Sequence, residues 1–89
     1  MCNSSDTKIA NSPGIQQFIT DCNFNLGQMF QFGYGVERDS KLSVKYYKRA
    51  AMMGKHVKAY QKCGDYYYSI NDKRSAMTFY RKAAELGDL

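Results

Sequence analysis

The chain has no tryptophan, a single proline at Pro13 and no long apolar run. With no proline beyond position 13, nothing of that kind interrupts a helix, and the supply of Ala, Lys, Met and Tyr favours one. No segment approaches the roughly 18 apolar residues that a membrane-spanning helix needs. The opening MCNSSDTKIANSPG has no apolar centre and does not read as a signal peptide. Position 2 is Cys rather than Gly, which excludes N-myristoylation, and Cys2 reads as an ordinary residue of a loose tail. Acidic residues are few and scattered, so paired-carboxylate catalysis has no candidate. Cys2, Cys22 and Cys63 make an odd number without metal-ligand spacing. They are expected to be free thiols, with Cys22 and Cys63 acting as small apolar residues, which points to the cytoplasm or another reducing compartment. No metal and no cofactor is expected.

What is present suits one small domain. The chain has 89 residues, eight of them tyrosine, and a net charge of +5 that favours acidic partners without selecting one. Its main feature is self-similarity. Cys22-x3-Leu26-Gly27-x2-Phe30 recurs as Ala59-x3-Cys63-Gly64-x2-Tyr67, offset by 37 positions. Asp39-x7-Tyr47-x-Arg49-Ala50-Ala51-x2-Gly54 recurs as Asp72-x7-Tyr80-x-Lys82-Ala83-Ala84-x2-Gly87, offset by 33. The second copy is therefore shorter between its halves, as a loop deletion would leave it.

Each half has helical spacing. Ile15, Phe18, Ile19, Cys22, Leu26, Met29 and Phe30 fall at three- and four-residue steps, and Gly33-Tyr34-Gly35 ends that run. Asp39 is placed to cap a second helix carrying Val44, Tyr47, Ala50 and Ala51, with Gly54 ending it. Ala59, Cys63, Tyr66 and Tyr67 repeat the first pattern; Asn71-Asp72 break and cap; Ala76, Phe79, Tyr80, Ala83 and Ala84 repeat the second. The spacing predicts helices within 14–32, 40–53, 57–69 and 72–86, no strand, and a disordered segment over 1–13. Gly27 and Gly64 sit inside helices, where glycine costs about 1 kcal/mol relative to alanine. Their recurrence predicts close helix contact against Ala50-Ala51 and Ala83-Ala84.

The stretch LGQMFQFGYGVERDSKLSVKYYKRAAMMG, residues 26–54, resembles a full Sel1-like repeat. Residues 59–87 are similar but lack the Gly-x-Gly-Val loop, which brings that copy nearer to a tetratricopeptide repeat. The likeness departs at Cys22, Ser43 and Cys63, where the family usually has Ala, Ala and Leu. The resemblance implies an all-α fold, an α/α solenoid of two helix–turn–helix repeats. Its domain is expected over 14–89, with repeat 1 at about 20–55 and repeat 2 at about 56–89. It also implies a protein-interaction adaptor or scaffold rather than an enzyme. By register with Leu26-Gly27 and Cys63-Gly64, the concave side that binds a partner protein or peptide presents Phe24, Gln28, Gln31, Lys58, Gln61, Asp65 and Tyr68.

Other chemistry is poorly supported. His56 with Cys22 or Cys63 lacks an orienting group, and reads as an exposed loop histidine beside core thiols. Gly33-Tyr34-Gly35 follows a helix and no Gly-Lys-Ser/Thr follows it, so it is not a phosphate loop. Positive charge does cluster. Lys41, Lys45, Lys48, Arg49, Lys55, Lys58 and Lys62 run without an acid between Asp39 and Asp65. Lys41, Lys45, Lys48 and Arg49 form the alternative site, a basic face for nucleic acid or another acidic surface. Finally, the last helix lacks a cover on the side around Met77, Phe79 and Tyr80, so self-association through that uncapped end is expected unless further repeats seal it.

Overall fold

The structure, a computed structural model, describes residues 13–87. The expected disorder of the N-terminal segment falls almost wholly outside the described residues. Four helices form among the described residues: α1 (Pro13–Phe32), α2 (Ser40–Gly54), α3 (Val57–Ser69) and α4 (Lys73–Gly87). No strand occurs among the described residues. The fold is thus the expected all-α array of two helix–turn–helix units. α1 packs on α2 and α3 on α4, each pair antiparallel, and α2 packs on α3. Among the described residues, no helix is long and apolar enough to cross a membrane.

The turns follow local chemistry. Gly33 and Gly35 both take φ 76, and the Gly33 and Tyr34 amides donate to the Met29 carbonyl at 2.8 and 2.9 Å, which closes α1. In the shorter second repeat Asn71, at φ 66, makes the left-handed turn alone. Asp39 caps α2 by accepting from the Leu42 amide at 3.0 Å, and Asp72 caps α4 by accepting from the Ser75 amide at 3.2 Å. Gly54 does not end α2 in the expected way. It stays helical, and Lys55 takes the left-handed conformation at φ 50. Gly54 is needed for space instead: a Cβ there would lie 2.5 Å from the Thr20 side chain.

Glycine also sets the closest contacts within each pair, but against tyrosine rings and not against the paired alanines expected. A Cβ on Gly27 would lie 2.6 Å from the Tyr47 ring, and one on Gly64 would lie 2.8 Å from the Tyr80 ring. Ser43 adds a buried cross-link, its hydroxyl donating to the Gly27 carbonyl at 2.7 Å. Ala50, Ala51, Ala59, Tyr60 and Ala83 form one core cluster. Val44, Tyr47 and Cys63 form the other, and Phe24 and Phe79 pack against both. Phe79 therefore belongs to the interior, stacked on Tyr67 at 5.4 Å, and not to the uncovered side assigned to it from sequence.

The periodic stripe of α1 is corrected as well. Phe18 is 67% exposed and Ile15 is exposed too, whereas Ile19, Thr20 and Asn23 are buried. The side of α1 against α2 runs through Thr20 and Gly27, because a close crossing selects small and short side chains over a large apolar ridge. Asn23 donates to the Ile19 carbonyl at 3.0 Å, while its own Oδ1 has no hydrogen-bond partner.

Gly27→Ala and Ala50→Leu should each lower stability by about 1–3 kcal/mol, since both overpack a closed contact. Gly64→Ala should cost less, because Tyr80 is partly exposed and its ring can move. Lys45→Leu, on an exposed position, should stay within about 0.5 kcal/mol of the parent. Urea unfolding of the four variants checks the order.

Candidate partner-binding groove

α1 and α3 are held apart by α2, and the space between them is a groove. Its lower hollow, of about 280 Å³, is lined by Phe24, Gln28, Lys58, Gln61, Lys62 and Asp65. A second hollow, of about 310 Å³, continues past Lys62 and Asp65 to Gln31, Arg38, Ser43 and Tyr47. Six of the seven residues expected on the concave side thus line one continuous depression. Tyr68 does not. It is exposed beyond Asp65 and stands off the groove lining. Arg38 and Lys62 line the groove although the sequence reading did not place them there. Lys62 is one turn beyond Lys58, which is the signal that would have found it. Arg38 lies in a loop with no periodicity to read.

Phe24 differs from expectation. It is half-buried, stacked on His56 at 4.6 Å and tilted on Tyr47 at 5.3 Å, so most of its ring is structural and one edge faces the groove. His56 is correspondingly not an exposed loop histidine. It is half-buried and caps α3, its Nδ1 accepting from the Ala59 amide at 3.1 Å. A ring nitrogen used as a cap is not available there as a base.

Two tyrosines tie the groove walls to the outer helices. The Tyr47 hydroxyl donates to Gln31 Oε1 at 2.6 Å, and the Tyr80 hydroxyl donates to the Asp65 carboxylate. Burial pushes the Tyr47 phenol up from 10.0 to about 12, and the bond to Asp65 does the same for Tyr80. Burial also pushes the Cys63 thiol from 9.0 up to about 12, so it is a packed, protonated core group. Cys22 is not the free thiol expected: it is disulfide-bonded. The cysteines therefore give no ground for assigning a reducing compartment. Among the described residues, no three of His, Cys, Asp and Glu gather in a way that could hold a metal ion.

The basic residues of α2 separate into two groups. Lys41, Lys45 and Arg49 are exposed on the side of α2 away from its buried residues, and Arg49 lies 5.6 Å from the Tyr46 ring centre. Lys48 turns inward, its ammonium 5.2 Å from the Tyr67 ring centre and 5.9 Å from that of Phe79. Its side chain is half-buried, unlike the other three.

Stacked helix pairs, each closed by a glycine against a tyrosine ring at equivalent positions, make this a helical-repeat protein. The repeat model that matches is the Sel1 repeat, at residues 20–55 and 57–88, and the chain belongs to that family. Sel1 repeats are in general non-catalytic protein-interaction modules. No curated protein and no solved structure gives a match.

Stability should fall as pH rises between about pH 9 and 12. Cys63, Tyr47 and Tyr80 each bind their proton more tightly in the fold than when unfolded, so their contribution is whole below the unfolded values of 9.0 and 10.0 and is lost as pH rises through about 12. Melting temperature followed across that range checks the sign; a rise would contradict it.

Proposed function

We propose that this chain is a scaffold module that holds a partner protein or peptide along the groove between α1 and α3. The observation that carries the reading is the convergence of Phe24, Gln28, Lys58, Gln61 and Asp65, from two helices, on one groove. The core already uses Tyr47, Cys63 and the paired alanines, so Gln28, Lys58 and Gln61 are not needed to hold the helices together. A site with a half-buried aromatic edge, amides and charges suits a segment recognised by hydrogen bonds as well as by apolar contact. The Lys41, Lys45 and Arg49 face is the competing surface, for nucleic acid or another polyanion.

A photocrosslinking residue at position 28 or 61 should capture a partner, and one at position 45 should not. The pair Gln28→Ala with Gln61→Ala should reduce recovery of that partner without moving the melting temperature, while Tyr68→Ala should matter little. If only Lys41, Lys45 and Arg49 matter, the basic-face reading replaces this one.

A second contact of the same chain, self-association through α4, is supported by comparing equivalent residues. Val44 is 8% exposed under α3, and its equivalent Met77 is 61% exposed; Tyr47 is 2% exposed and Tyr80 is 37%. Ala84 is likewise exposed where Ala51 is buried. A hollow of about 520 Å³ lies along Val57, Gln61, Tyr80 and Ala84. The chain should therefore associate as its concentration rises, and its melting temperature should rise with it. Met77→Lys should abolish both effects. Sedimentation equilibrium that gives a monomer at every concentration would refute the association.

A further inference from the structure

We infer that the α1–α3 groove takes an extended, carboxylate-rich peptide segment. This rests on the reading of the groove as the partner site and names the chemistry of that partner. The fold leaves an excess of cations and donors along the groove. Lys58, Lys62 and Arg38 place three cations along the two hollows. Lys62 stands where the hollows meet, half-buried, with its ammonium 5.7 Å from the Phe32 ring centre. Contact with the ring face holds that charge at the groove and takes part of its water away, so a carboxylate gains more there than on an open surface.

Two acceptors of the linings are already engaged. Gln31 Oε1 already accepts from the Tyr47 hydroxyl, which leaves its amide N–H groups to donate. Asp65, the one acid in either lining, accepts from the Tyr80 hydroxyl. What remains exposed to a ligand is a set rich in N–H donors. Backbone carbonyls and side-chain carboxylates of an extended segment supply the matching acceptors. A basic segment would meet like charge, which disfavours it. The hollows are near the small end of ligand sites, about 300–1,000 Å³, so they admit side chains of a strand-like segment rather than a folded surface. A long polyanion such as nucleic acid would instead gain most from Lys41, Lys45 and Arg49, which are exposed together on one helix and lie off the groove.

The test is selection of a random short-peptide library on the whole chain. Enriched peptides should carry more Asp and Glu than the input. A selected peptide should lose about tenfold in affinity to the Lys58→Gln/Lys62→Gln variant, and about as much when its own acids become amides. The Lys41→Gln/Lys45→Gln/Arg49→Gln variant should change it by less than about twofold at physiological salt. Enriched peptides that depend on Gln28 and Gln61 but show no acidic bias overturn this inference and leave the groove reading standing. A library with no groove-dependent binder removes both. Single-stranded DNA bound as tightly as the peptides, and lost in the Lys58/Lys62 variant, would make the groove a general polyanion site and also overturn it.

Discussion

The ring of Tyr47 lies where a side chain on residue 27 would have to be, and the ring of Tyr80 does the same at residue 64. This contact sets the spacing of each helix pair. Glycine inside a helix costs about 1 kcal/mol against alanine. That cost is offset when the missing Cβ lets a large ring lie against the neighbouring backbone and bury its face. The rest of the packing follows from it. With Tyr47 against α1, its hydroxyl reaches Gln31; with Tyr80 against α3, its hydroxyl reaches Asp65. Ser43 then bonds the Gly27 carbonyl directly across the gap.

The same contact prepares the groove. Each tyrosine crosses from the outer helix of its pair to the inner one and ends on a polar residue of the groove wall. The hydroxyls hold Gln31 and Asp65 by their acceptor atoms, and so the packing of the core decides which polar atoms a ligand finds free. The groove exists because α2 separates α1 from α3. Phe24 lines it with one edge and is backed by His56, stacked on its ring, with His56 also starting α3. Structure and candidate binding surface are therefore made by the same few side chains, which is why residues deeper than Gln28, Gln61, Lys58 and Lys62 would be poor probes of binding alone.

The two repeats are alike in pattern and unlike in environment. α2 lies between α1 and α3 and buries Val44, Tyr47 and Ala51; α4 has a neighbour on one side, and Met77, Tyr80 and Ala84 are left open. The identity of a residue gives its place in the repeat. Its burial depends on whether another helix stands beside it, as solenoid packing requires.

Much of this was legible in the residues themselves. The two offsets, the cap aspartates and the paired alanines fix four helices and their order, because backbone geometry and helical periodicity are local properties. The register with Gly27 and Gly64 likewise put Gln28, Lys58, Gln61 and Asp65 on one side. Longer-range facts were not readable. Phe18 falls on the periodic stripe of α1 and is exposed, while Thr20 and Asn23 are buried, since a close crossing rewards small groups over apolar ones. His56 is a cap and a stacking partner only because Phe24, distant in sequence, lies against it. Arg38 enters the groove from a loop whose path is set by Gly33 and Gly35. The sequence determined which segments are helices and which faces they repeat. Only the tertiary structure decided which side chains those faces bury, because burial depends on the neighbour and not on the residue.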